Sequence, residues 1–251
     1  MSSLSQDNRF EYKYIITEPT ARSVRDFVAC YLERDKYADP SRRNSYAVHS
    51  LYLDSRGLAL CRATLQGHKN RFKLRLRFYD EVREHPVFFE VKRRLNDVIL
   101  KQRAAVRREA ILPLLAGHAP SPQDLMDPLG GDFGALEHFC RLRGVVEADG
   151  LAFVSYLREA YATPDERIRV TFDRVIRGAE YHHRFELPPD PQWHYPPIAG
   201  VVLELKFTDR FPRWMREMVQ SLDLWRGNMA KYVTSVTTAP SPMLSFLAYE
   251  L

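Results

Sequence analysis

Short runs that alternate apolar with polar residues dominate the chain, and that period predicts strands. Phe10–Ile16, Val48–Asp54, Phe72–Tyr79, Val87–Arg93 and Val98–Arg107 read this way, the last two as a hairpin across Leu95-Asn96-Asp97. Further strands are expected at Ala152–Ala162, Arg167–Arg174, Ile176–Glu186 and Val201–Phe207. Helical spacing interrupts the pattern. After the helix-start signal Thr17-Glu18-Pro19, Val24, Phe27, Val28 and Tyr31 fall at i, i+3, i+4 and i+7, predicting a helix to Leu32. A second helix, Arg210–Asp223, sets Trp214, Met218 and Leu222 on one face, with Trp225 read as part of the same core. Residues 58–66 predict a short helix, and Arg34–Asn44 and Pro188–Pro197 predict loops. Residues 109–148 are broken by Pro113, Pro120, Pro122, Pro128 and Gly130-Gly131, and read as an insertion of short helical pieces, Gly134–Leu142 being the most helical.

This order of elements indicates an α+β fold, and no linker divides it, so residues 1–251 are expected to form one domain. With 45% hydrophobic residues the chain can build a core, which excludes wholesale disorder. The longest apolar runs, such as Ile198 to Leu203, are far short of the ~20 residues of a membrane helix, so no span is expected. Met1–Arg9 is polar and has no signal-peptide core. Three cysteines, Cys30, Cys61 and Cys140, lie too far apart for a zinc spacing and are odd in number, so a reducing cytoplasm is the expected compartment. A net charge of +5 is too small to name an anionic partner. The placement of the charges says more.

Lys73, Arg75 and Arg77 alternate with Phe72, Leu74, Leu76 and Phe78. Side chains at i and i+2 share a face about 6.6 Å apart. Like charges held so repel by roughly 2.5 kcal/mol per adjacent pair at an effective dielectric of 20. One such strand is most simply a solvated outer face. But a Glu-x-Lys pair among Val, Leu and Phe recurs three times, as Glu11/Lys13, Glu90/Lys92 and Glu204/Lys206. Arg167, Arg169, Thr171 and Asp173 alternate with Ile168, Val170 and Phe172, and Arg158 and Glu159 stand in VSYLREAY. Buried charges persist when paired or when they bind something. The economical expectation is a barrel whose interior is polar and mostly basic and whose outside is covered by helices. Such a lining suits a phosphate chain, with carboxylates available for Mn²⁺ or Mg²⁺. Mutual salt bridging inside a sheet, or an open sheet with one wet face, is the alternative.

The ordered series RFEYKYII, SLYLDS, KLRLRFY, FFEVK, RVTFD, LELK and AKYV resembles the VTC domain of the triphosphate tunnel metalloenzyme (CYTH-like) superfamily. That resemblance implies a closed, tunnel-like barrel of about eight antiparallel strands flanked by helices, and a polyphosphate polymerase that moves the ATP γ-phosphate onto a polyphosphate chain. It implies phosphate ligands at Lys13, Arg75, Arg77, Lys92, Arg158, Arg169, Lys206 and Lys231, with Lys73 a looser match. Arg75, Arg77, Lys92 and Arg158 would act on the transferred group. Glu204 would hold the metal, with Glu11 and Glu90 as secondary ligands. Arg9 stands where CYTH-type triphosphatases place another Glu, which favours the polymerase over the triphosphatase. A non-catalytic module that binds triphosphate or polyphosphate is a third expectation. RNA binding ranks last because the basic residues point inward. A membrane partner is left open.

Other residues read as structural. His182-His183 is expected at a solvated loop or strand end, His49 packed in its strand, and Asp54 in a turn. Lys101 and Arg103 share one face of the hairpin's return strand and could extend the basic lining or not. No Gly-rich phosphate loop or hydrolase triad is present.

Overall fold

The computed structural model describes residues 9–227 and 229–240. The polar N-terminal stretch up to residue 8 and the far end of the expected single domain lie outside the described residues. In chain order the elements are β1 (Arg9–Ile16), α1 (Glu18–Val28), β2 (Glu33–Arg34), β3 (Ser45–Asp54), α2 (Ala59–Leu65), β4 (Asn70–Phe78), β5 (Val87–Leu95) and β6 (Val98–Val106). They continue with α3 (Ile111–Leu115), α4 (Phe133–Val145), β7 (Asp149–Ala162), β8 (Ile168–Glu180), β9 (Val201–Thr208), α5 (Arg213–Ser221) and α6 (Lys231–Thr237).

Eight strands form one antiparallel sheet in the order β1-β9-β8-β7-β3-β4-β5-β6, and the two-residue β2 adds to the end of β7. The α+β class is as expected, but the sheet is not closed into a barrel: among the described residues no ladder joins β1 to β6. It curls far enough that Lys92 of β5 meets Glu11 of β1 at 2.9 Å across the interior.

Local chemistry fixes this path. Thr17 caps α1 by accepting from the Thr20 N–H, with proline in the first turn. The β5–β6 hairpin turns on Asn96, whose φ of 54° suits asparagine. Ahead of β9, Gly200 has φ +120°, and a Cβ there would lie 2.3 Å from the Ile16 carbonyl oxygen, so only glycine fits.

Alternation then sorts the two faces. Apolar residues point outward under helices: α1 and α5 bring Val24, Val28, Met215 and Met218 onto Val170, Phe172, Leu203 and Leu205. The 109–148 segment supplies α3 and α4, whose Leu114, Leu136 and Phe139 cover Leu74, Leu76, Phe89 and Ala104. Helices α2 and α6 instead cover the inner face at one end, packing Cys61, Val233 and Val236 with Val154 and Ile176 beside the charged residues. Each such side chain stabilises the fold by about 1.5–3 kcal/mol, and this jacket offsets the charge gathered on the inner face. Among the described residues no helix is long and apolar enough to cross a membrane. All three cysteines are free.

Three further expectations are corrected. Helix α1 stops at Val28, because Cys30 and Tyr31 bond to carbonyls three residues back, and Tyr31 stacks on Trp214 of α5 at 4.7 Å. The two strands expected at 167–174 and 176–186 are one, β8, ending at Glu180. It carries a bulge at Val175 (φ 50°), where two of its residues oppose Tyr156 alone. Trp225 is not core but 79% exposed, since α5 ends at Ser221 and leaves it beyond the buried face. Helix α6 was not anticipated. His182 and His183 are exposed beyond β8, and His49 is packed, 2.9 Å from Ser155, as expected.

Candidate active site

The inner face encloses a channel of about 1770 Å³ whose described lining includes eighteen lysines and arginines against five carboxylates. Every basic residue singled out in the sequence borders it, from Lys13 and Lys73 to Lys206 and Lys231, and Arg9, Lys101 and Arg103 join them. Cross-strand register explains the gathering. Lys13 faces Glu204, Glu11 faces Lys206, Arg75 faces Glu90, Lys73 faces Lys92, and Arg158 faces Asp173.

Two charged clusters result. In the first, Glu204 is held by Lys206 at 2.7 Å, Lys231 at 2.8 Å, Arg158 at 3.3 Å and Lys13 at 3.7 Å. Beside it the fully buried Asp173 accepts two 2.7 Å bonds from the Arg158 guanidinium and lies 2.6 Å from Lys231. Burial would raise both carboxyl pKa values. Arg158 and Lys231 around Asp173, and Lys206, Lys231 and Lys13 around Glu204, hold them below the ordinary range instead. Burial lowers Lys206, to about 8, against the pull of Glu204. Lys231 is driven the other way: burial opposes its charge, but Asp173 and Glu204 prevail and raise it.

Across the channel, the wholly buried Glu90 pairs with Arg75 at 2.7 Å and Lys101 at 2.6 Å, with Arg103 at 3.9 Å. Burial works against its charge, but Arg75, Arg77 and Lys101 keep it ionised. Burial also brings Lys101 down to about 8. Lys101 and Arg103, left open by the sequence, thus belong to the lining. Glu11 bridges the two sides, 2.9 Å from Lys92 and 3.3 Å from Lys13.

Two cations on the inner run of β4 lack the ion pair that Arg75 between them has. Arg77 is buried, yet among the described residues no carboxylate lies within ion-pair distance; its guanidinium donates to the Ser50 and Tyr156 hydroxyls at 3.3 and 3.1 Å. Lys73 likewise has no ion pair among the described residues, and lies 5.9 Å from the Tyr232 ring. Burial, with Lys13, Lys92 and Arg75 adding to it, lowers its pKa to about 7. Beside it Tyr52 accepts from Arg75 at 3.2 Å. Burial opposes its ionisation, but Arg75, Arg77 and Lys73 bring the phenol down to about 7.

Not every expected residue is equally placed. Arg169 sits toward one mouth, tied to Asp35, Glu166 and the Tyr46 hydroxyl. Glu90 is across the channel from Glu204 and Glu11, so the three suggested metal ligands do not converge. Asp173, Tyr52 and Tyr156 were missed as site residues, although Asp173 shares its strand face with Thr171, and Tyr156 lies two residues before Arg158. Asp54 is structural: it accepts from the Leu60 and Cys61 N–H groups and the Tyr232 hydroxyl.

The sequence matches the VTC domain over residues 8–239. The chain belongs to the VTC domain family. No curated protein matches it. Among solved structures, a Bacillus halodurans protein provisionally titled an adenylate cyclase aligns at 11% identity and a TM-score of 0.50, over 89% of this chain and 94% of that one. A conserved hypothetical protein from Pyrococcus furiosus aligns at 13% identity, with a TM-score of 0.45 over 90% of this chain and 99% of that one. The first likeness is one of fold. Within the VTC family match, Lys13, Arg75, Arg77, Lys92, Arg158, Glu204, Lys206 and Lys231 all fall on the channel wall.

Proposed function

We propose that this VTC domain is a polyphosphate polymerase that binds ATP and a polyphosphate chain in the channel and transfers the γ-phosphate to the chain end, releasing ADP. The observation that supports this most directly is Arg77, a buried guanidinium held by two neutral hydroxyls with no carboxylate within ion-pair distance among the described residues. A guanidinium so placed faces the channel without an ion-paired carboxylate, and a phosphoryl oxygen is the partner its fork geometry suits. Around it Arg75, Lys92 and Arg158 are paired with Glu90, Glu11 and Asp173. They are positioned to share phosphate oxygens without first being ordered. Phosphoryl transfer needs little more than alignment and neutralisation of charge, and no covalent enzyme intermediate.

A divalent cation, Mn²⁺ or Mg²⁺, fits this wall only with help from the substrate. Among the described residues no three Asp, Glu, His or Cys side chains form a metal site. Mg²⁺ commonly takes one or two carboxylates and completes its shell with phosphates and water. Glu204 and Glu11, on neighbouring strands and sharing the Lys13 ammonium, suit that role once the ion displaces lysines from them; Glu90, wholly buried across the channel, does not. When bound, the ion would neutralise phosphate charge.

The test is product analysis with ATP and Mn²⁺ or Mg²⁺, with and without a pyrophosphate primer, by gel and phosphorus NMR. Polymer and ADP, lost in Arg77→Ala, support the polymerase. Orthophosphate without polymer makes the chain a triphosphatase. Intact ATP with tight triphosphate binding makes it a binding module.

A further inference from the structure

The two mouths of the channel are built from different chemistry. At the mouth where β4 leaves the sheet and β5 enters it, four aromatic rings form a series. Centroids lie 6.4 Å apart from Tyr37 to Tyr46, 6.1 Å from Tyr46 to Tyr79, and 6.1 Å from Tyr79 to Phe88, each pair edge to face. All four rings border the channel. Edge-to-face rings usually fill a core, but Tyr37 is 66% exposed and Tyr79 39%. Arg103 lies 3.3 Å over the Phe88 ring. At the opposite mouth the rim is Arg71, Arg93 and Arg94, and the stacked pair there, Tyr52 on Tyr232, is buried.

We propose that the collar of Tyr37, Tyr46, Tyr79 and Phe88 is a nucleoside subsite, which takes the base of a nucleoside triphosphate while polyphosphate extends toward the arginine rim. This rests on the reading of the channel as a phosphate-transfer site. Register supports the direction. Phe88 is the cross-strand partner of Arg77, and Tyr79 lies two residues outward from Arg77 on the same strand face, about 6.6 Å away. A base on these rings hands its phosphates to the guanidinium that has no carboxylate. The far rim offers cations and no exposed ring series among the described residues, which suits a bare polyanion rather than a base.

The collar offers ring faces but little to read a base edge. The Tyr46 hydroxyl is already committed, donating to Asp35 at 3.0 Å and accepting from Arg169 at 3.1 Å. Stacking is tolerant of base identity because every base has a π-face. ATP and GTP should therefore bind alike.

Calorimetry with inorganic triphosphate, long polyphosphate, ATP and GTP tests this, using the wild type, Tyr79→Ala, Phe88→Leu and Arg93→Ala. The expected result is that Tyr79→Ala weakens ATP and GTP by about tenfold and leaves inorganic triphosphate within about twofold. Phe88→Leu, which keeps the bulk, should reproduce the loss in a chain of unchanged Tm, and Arg93→Ala should weaken long polyphosphate but not ATP. Equal losses for ATP and triphosphate, or no loss for either, would overturn the collar while leaving the channel intact. A wild type that binds no triphosphate would overturn the reading of the channel, and the collar with it.

Discussion

Lys92 on β5 reaches Glu11 on β1 at 2.9 Å, joining two strands that share no backbone hydrogen bond among the described residues. The pair is the side-chain counterpart of the ladder a closed barrel would have. Lys92→Met should cost about 1–2 kcal/mol, less than a fully buried pair, because Glu11 keeps Lys13 at 3.3 Å. Urea denaturation of the variant checks this, and an unchanged midpoint would mean that the seam is held by other contacts.

Arg77 and Arg158 should respond differently to the same change. Arg158→Met strands the fully buried Asp173 with Lys231 alone, and a loss of about 3–5 kcal/mol is expected. Arg77→Met removes a buried cation that has no ion pair, and Glu90, which it helps keep ionised, retains Arg75 and Lys101, so stability should change little while triphosphate affinity falls at least about tenfold. Thermal denaturation beside calorimetry measures both. Equal destabilisation by the two substitutions would count against the functional reading of Arg77.

Glu11, Glu90, Asp173 and Glu204 are all held below the ordinary carboxylate range by their cations. A depressed folded pKa adds stability that is fully present above the unfolded value, about 4, and is lost as pH falls through the folded value. Unfolding free energy should therefore be flat in this contribution above about pH 5 and fall steeply below about pH 4. A urea series from neutral to acid pH measures the slope, and a flat acid limb would contradict the paired state of these groups.

Lys73 near 7, with Lys101 and Lys206 near 8, predicts proton uptake on binding a polyanion. A phosphate beside a partly neutral lysine raises its pKa, and the Tyr52 phenol, itself near 7, takes a proton for the same reason. Triphosphate binding at pH 8 should take up protons, seen as a heat that varies with buffer ionisation enthalpy, and Lys73→Met should reduce it. Without ligand the sign differs. The depressed Lys73 binds fewer protons in the folded chain, so its contribution to stability rises with pH between about 7 and 10.4.

The strands and their inward charges were legible because period-two alternation is a direct record of which face meets the core. Lys73, Arg75 and Arg77 could be set on one face from sequence alone, as could the three Glu-x-Lys pairs. What those charges touch depends on register between strands far apart in sequence. For that reason Asp173 passed as one polar residue among several, and its bond to Arg158 was invisible. The Val175 bulge broke the alternation and divided β8 in two. Helix α6 was hidden because KYVTSVT is rich in β-branched residues, poor helix formers, and forms by packing Tyr232, Val233 and Val236 onto the sheet. Closure of the barrel was an inference from the charge pattern, and no sequence pattern reports whether two edge strands meet.

The first strand of the described chain pairs with the last, Arg9 opposite Thr208, and Lys231 arrives on the final described helix. A nascent chain emerging from the ribosome therefore holds β1 without its neighbour until β9 is made, and Glu204 and Asp173 wait longer still for the Lys231 ammonium. The charged interior cannot assemble piecemeal. Folding must wait for contacts about two hundred residues apart, and such long-range pairing is slow. Until then the half-built sheet exposes an unpaired edge, so low yield from C-terminal truncations is expected from the strand order.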